Sequence, residues 1–246
     1  MRLSLLLMNL IQYPLLIGWT VFCVLLAFPL FHLWRLVTGW ELDRVARMFI
    51  WFYGRVWMEF LRPFGRVRKE GLQKERVPTP CVFVANHLSF FDVYCMGTLP
   101  VTNFSIVVRA WPFKMWFYAP FMRAAKYLNS EQLDQDEFMA QCRDVIDRGG
   151  SILFFPEGHR SRDGELGRFY SGAFKVALDN DVPIVPLAIS GTDKLLPRGQ
   201  WAMRPAEIVV EGLEPVYPRQ FMHEDVPHLA MRKYVKQAIA AARKRR

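Results

Sequence analysis

From Leu3 to Trp34 the chain carries 32 consecutive residues without a single Asp, Glu, Lys or Arg. A helix crosses the hydrocarbon of a bilayer in roughly 20 residues. At about 1.5 Å per residue this stretch reaches about 48 Å, more than one perpendicular span requires. Pro14, Gly18 and Pro29 interrupt it. Two arrangements fit: one tilted span near Leu15–Trp34, or a broken helical hairpin that dips into one leaflet. A secretory signal fits less well, because no small-residue cleavage site follows and the run exceeds a signal's apolar core. A buried core helix is the remaining alternative, and the length argues against it. Only Arg2 precedes the stretch, whereas Arg35, Arg44, Arg47, Arg55, Arg62, Arg66, Arg68 and Lys69 follow it. The positive-inside rule therefore predicts a cytoplasmic location for the rest of the chain.

Residues 41–62 read as an amphipathic helix. At 100° per residue Glu41, Arg44, Arg55, Glu59 and Arg62 share one face, and Leu42, Val45, Phe49, Phe52, Tyr53, Val56 and Phe60 lie opposite. Such a helix fits the headgroup layer of a bilayer, with its cations over anionic lipid. It fits equally well with its apolar face packed on the main domain. Pro63 and Gly65 end it.

Beyond Val77 short apolar runs alternate with helical patterns. Strands are expected at 81–85, 104–108, 151–155, 184–189 and 208–211. Helices are expected at 91–98, 113–127, 135–148, 172–180 and 227–243. The alternation predicts an α/β fold, with a mixed, largely parallel sheet flanked by helices. Three parts follow: a membrane segment (1–40), an amphipathic helix and connector (41–72), and a catalytic domain (73–246). The net charge of +9 points to an anionic partner, whether nucleic acid, an anionic membrane or phosphorylated substrates. Four widely spaced Cys with no C-x-x-C pair exclude a disulfide scaffold and a zinc knuckle.

The chemistry begins at the end of the first expected strand, in Asn86-His87-Leu88-Ser89-Phe90-Phe91-Asp92. An Asp that accepts from one imidazole nitrogen fixes the tautomer and frees the other nitrogen to take a proton. The alternative is a helix-capping Asp beside a structural His. Phe155-Pro156-Glu157-Gly158-His159-Arg160-Ser161 follows a second strand. It offers a planar guanidinium and a close-approach glycine, which suit anion capture. Val182-Pro183-Ile184-Val185-Pro186-Leu187 is an apolar strand with two prolines.

In this order and approximate spacing the three elements resemble the glycerolipid acyltransferases, in particular the bacterial 1-acyl-glycerol-3-phosphate (lysophosphatidic acid) acyltransferases. The resemblance spans roughly residues 82–187. It implies that His87 is the general base and Asp92 its orienting partner. It also implies that Glu157, Gly158 and Arg160 bind the acceptor, with Arg160 on the phosphate. Asn86, Ser89, Phe155, Pro156, His159 and Ser161 support the motifs. The co-substrate would be an acyl thioester on acyl carrier protein or coenzyme A, with no metal and no resident cofactor. The acceptor would be a lyso-lipid drawn from an anionic phospholipid membrane, the bacterial inner membrane, at its cytoplasmic face. Nucleic acid is not an expected partner.

Two departures from the family pattern matter. His159 stands where the family has Thr. Asn129 or Ser130 stands where the second block has an Arg, and Arg109, Arg123 and Lys126 are the nearby cations. Arg123 and Lys126 are therefore expected to help hold the head group. If they do not, a lyso-phospholipid or lyso-ornithine lipid becomes the expected acceptor.

Overall fold

The computed structural model describes residues 2–246. The uncharged stretch forms one unbroken helix, α1 (Arg2–Thr38), with Pro14 and Pro29 inside it. It is a single rod of about 55 Å, so the chain does not reverse in a hairpin. Helix α2 (Leu42–Leu61) runs back against it. Polar hooks fasten the two: Gln12 Nε2 donates to the Phe60 carbonyl at 2.6 Å, and Thr20 Oγ1 meets the Tyr53 hydroxyl at 2.8 Å. The other flank of α1 leaves Leu3, Leu10, Ile17, Leu25 and Leu36 exposed. It is long and apolar enough to cross a membrane.

Helix α2 packs on the main domain through Val45, Ala46, Trp57, Met58 and Leu61, a face turned from the expected one, which leaves Phe52 exposed and Tyr53 and Phe60 against α1. The contact is backbone to backbone at Gly54 and Gly97. A Cβ on Gly97 would lie 2.3 Å from the Arg55 amide nitrogen. The helix also buries an ion pair. Arg47 donates to Asp43 at 3.3 Å, to the Ala125 carbonyl at 2.9 Å and to Asn103 Oδ1 at 3.0 Å.

Seven strands form one sheet: β1 (Arg66–Glu70), β2 (Val82–Ala85), β3 (Phe104–Val108), β4 (Leu128–Asn129), β5 (Ser151–Phe154), β6 (Ile184–Ser190) and β7 (Glu207–Gly212). The order is β1-β7-β6-β2-β5-β3-β4. Every pairing is parallel except β6 with β7. The sheet is therefore mixed and largely parallel, as the alternation predicts. Successive strand residues face opposite sides. Phe83, Ala85, Leu153 and Val185 join the core under α1 and α2. Val82, Val84, Ile152 and Ile184 join a second core under α5 (Gln135–Asp147), α6 (Gly172–Asp179) and α8 (Pro227–Lys244).

Two local expectations fail for identifiable reasons. The helix expected over 113–127 is a 3₁₀ turn at Trp111–Lys114 followed by a short α4 (Ala119–Ala124), and then β4. Pro112 and Pro120 sit at the starts of these two pieces, where the missing N–H is harmless, and they divide the run. Strand β1, Arg-Val-Arg-Lys-Glu, lies in the stretch read as connector. It is an exposed edge, so it needs no alternating apolar pattern.

Candidate active site

Strand β2 ends at Ala85, and the chain then leaves the sheet at a defined point. Asn86 fixes that point by acting as one more rung. Its side chain accepts from Ile189 N at 2.8 Å and donates to Ile189 O at 3.0 Å. The backbone of His87 is held from both ends. Its amide donates to Glu157 Oε1 at 2.8 Å, and its carbonyl accepts from Ser161 N at 2.8 Å. The imidazole stacks on Phe155, with ring centroids 4.4 Å apart, and its side chain remains 18% exposed.

Asp92 opens the short helix α3 (Asp92–Cys95) and is fully buried. Its Oδ2 accepts from His87 Nδ1 at 2.7 Å, Leu88 N at 2.6 Å and Ser89 N at 2.9 Å. Its Oδ1 accepts from Thr192 Oγ1 at 2.5 Å. A buried carboxylate that accepts from four donors is held in one place. It therefore holds the Nδ1–H tautomer of His87 and leaves Nε2 to take a proton. Thr192 begins α7 (Thr192–Leu195) and is itself fully buried. Gly191 delivers it there with φ +87°, in the left-handed region, where a Cβ would collide with the Glu207 carbonyl.

His87 sits on a cavity of about 1600 Å³. Its apolar lining includes Leu16, Val21 and Val24 of α1 with Tyr53, Tyr118 and Met122. Arg160, Arg162 and Arg198 line it as well, as do Glu131 and Asp134. Among the described residues none of these three guanidinium groups has a hydrogen bond or ion pair. His159 is exposed beside Arg160, and Gly158 takes φ +70° against the Tyr170 ring.

The structure divides the expected acceptor-binding residues. Glu157 is buried, and its carboxylate accepts backbone amides of His87 and Gly167, each at 2.8 Å. Its geometry is that of a loop brace. Arg123 and Lys126 are absent from the cavity lining. Lys126 instead pairs with Asp144 at 3.2 Å. Arg109 does line the cavity. Val108 pairs with Asn129 in the sheet, so Arg109 follows on the strand end beside Ser130. Glu131 holds it there, accepting from Arg109 Nε at 2.6 Å and from Ala110 N at 2.8 Å. The Ala110 amide, then Arg109, keep the Glu131 carboxyl below the usual carboxylate range. A cation is thus present one strand away from where the second block lacks one. Arg198 and Thr192 were not legible as site residues, because only the tertiary fold brings them here; Arg162 directly follows the Phe155–Ser161 motif and was overlooked beside it.

An imidazole held by a buried carboxylate thus lies on a cavity lined by apolar side chains and by guanidinium groups with no ion pair among the described residues. The chain belongs to the acyltransferase family, whose model, described as Acyltransferase, matches residues 66–190. Among named relatives, a chloroplastic 1-acyl-sn-glycerol-3-phosphate acyltransferase of Brassica napus is 36% identical over 169 residues, covering 64% of this chain and 47% of that protein. The 1-acyl-sn-glycerol-3-phosphate acyltransferase of Pseudomonas aeruginosa is 25% identical, covering 65% of this chain and 63% of its own. The chain thus spans about half the length of the plant relatives it matches. The crystal structure of the 1-acyl-sn-glycerophosphate acyltransferase PlsC of Thermotoga maritima shares the fold. Its TM-score is 0.72 at 24% identity, over 98% of this chain and 97% of that one.

Proposed function

We propose that this acyltransferase works at a membrane and moves a fatty acyl group from an acyl thioester to the free hydroxyl of 1-acyl-glycerol-3-phosphate, giving phosphatidic acid. The observation that carries the reading is His87, braced by Asp92, where an apolar cavity meets three unpaired guanidinium groups. The names of the relatives support the same acceptor. The exposed apolar flank of α1 supports insertion into a membrane, and the cations that follow it in sequence support a catalytic domain on the cytoplasmic face.

In this mechanism Arg160 holds the phosphate, helped by Arg162, Arg198 and Arg109. The chains of both amphiphiles lie along the apolar side chains of the lining. His87 Nε2 takes the proton of the acceptor hydroxyl as its oxygen attacks the thioester carbon. The tetrahedral intermediate collapses, the C–S bond breaks, and the departing sulfur recovers the proton from the imidazolium. Asp92 stabilises that imidazolium, and a carbon–oxygen bond has replaced a carbon–sulfur bond. The chemistry calls for no metal and no resident cofactor.

An acceptor panel tests the reading. Purified protein in mixed micelles receives a labelled long-chain acyl thioester with lysophosphatidic acid, lyso-phosphatidylcholine, lyso-phosphatidylethanolamine or lyso-ornithine lipid, each alone. We expect acylation of lysophosphatidic acid, and a loss of about 10²–10⁴-fold in kcat in His87→Ala while membrane association persists. Preference for another acceptor would keep the reaction and overturn the substrate.

A further inference from the structure

Beside the catalytic cavity lies a second groove, of about 560 Å³, between helix α8 and residues 166–169. Arg168, Arg232, Lys233 and Lys236 line it, over a floor that includes Phe169 and Leu229. No acidic residue lines it. Among the described residues none of the four cations has an ion pair. Helix α8 carries five cations and no carboxylate from Pro227 to Lys244. Arg232 and Lys236 are four apart on it, and Lys233 and Lys236 three apart, spacings at which like charges repel. The chain accepts that repulsion without a compensating Asp or Glu.

The groove is joined to the catalytic machinery by residues 167–171. Gly167 N donates to Glu157 Oε2 at 2.8 Å, and Glu157 in turn holds the His87 amide. Tyr170 lines the catalytic cavity, and its amide donates to the Pro156 carbonyl at 2.8 Å. Ser171 accepts from Arg232 at 2.9 Å. One short strip of chain therefore has the groove on one side and the cavity on the other. Helix α8 packs on the face of the sheet opposite to α1. A bilayer that takes up α1 has the sheet between it and the groove.

From this placement we infer that the groove docks an acidic protein surface, that of the acyl carrier protein bearing the thioester. This inference rests on the acyltransferase reading above. Cations spread along a helix over an apolar floor match an acidic amphipathic helix. A carrier docked there presents its thioester arm across Tyr170 and Gly158 toward His87.

The test uses the full chain in detergent micelles and fluorescently labelled apo acyl carrier protein, read by anisotropy. Lys233→Glu/Lys236→Glu is compared with wild type, with the milder Lys233→Gln/Lys236→Gln, and with a remote reversal, Lys74→Glu/Arg76→Glu, on an exposed turn. Binding should weaken about tenfold in the Glu pair, less in the Gln pair, and not in the remote pair. Added salt should weaken wild-type binding. With matched acyl chains, KM for the acyl-carrier substrate should rise by the same factor while kcat and the KM for acyl-coenzyme A hold. Unchanged carrier binding overturns the inference. So does an equal rise in both KM values, which would make the groove a general anion site. A selective loss of binding to phosphatidylglycerol vesicles, with carrier binding intact, would reassign the groove to the membrane. If wild type uses neither donor, the acyltransfer reading fails, and the anisotropy result still decides the groove.

Discussion

Thr192→Val removes one hydroxyl and leaves the shape nearly unchanged. Thr192 Oγ1 donates to Asp92 Oδ1 at 2.5 Å, and both residues are fully buried. A lost hydrogen bond to a buried charge is worth about 1.5–3 kcal/mol. In a domain of this size each kcal/mol moves Tm by about 2–4 °C, so Tm should fall by roughly 3–12 °C. Asp92 keeps three donors on Oδ2, so the variant should fold. With Oδ1 released, the carboxylate can turn and the imidazole loses its fixed direction. If about 1.4 kcal/mol of that interaction is missing at the transition state, kcat drops about tenfold. KM should hold, because Thr192 does not line the cavity. The companion Thr192→Ser keeps the hydroxyl and loses a buried methyl, worth about 0.8 kcal/mol. It should therefore recover kcat while remaining slightly less stable. Steady-state acylation in micelles and intrinsic tryptophan fluorescence during heating read the two quantities separately. A Val variant with wild-type kcat, or a Ser variant as slow as Val, would refute the positioning argument.

Arg47→Ala should be among the most destabilising changes, by about 3–5 kcal/mol, since it leaves Asp43 as a buried charge with its main partner gone; denaturant titration checks this. Gly97→Ala should destabilise by about 1–3 kcal/mol, because the new methyl meets the α2 backbone; a Gly97→Ala variant as stable as wild type would contradict the close approach. Burial pushes the thiols of Cys81 and Cys142 up to about 12. Iodoacetamide at pH 8 should leave both unmodified in the folded protein and label them in denaturant, as read by mass spectrometry.

What the sequence discloses here follows local physics. Strand β3 coincides with its expected range, and α5 ends within a residue of its own, because each is a clean apolar run or amphipathic period. Asp134 caps α5 by accepting from Glu137 N. The His87–Asp92 pair was visible because both members lie within one turn of chain. Thr192 and Arg198 were not, since the fold brings them from 100 or more residues further along the chain. Glu157 was legible as a motif position but not as a brace, because its partners are backbone amides, which leave no mark in sequence. The direction of Arg47 was hidden for a related reason. On a helical wheel it is one more cation, and only its neighbours in space make it a buried one.

The apolar wall that α1 lends to the cavity has a practical consequence for handling the enzyme. Leu16, Val21 and Val24 face the cavity, while the adjoining flank of the same helix is bare. Any surfactant that coats this helix during purification has a short route into the cavity proposed to take the fatty chain. Detergent is then a competitor as well as a solvent. Apparent substrate preference should shift with the tail length of the detergent, and kinetics in lipid nanodiscs are the fitting reference.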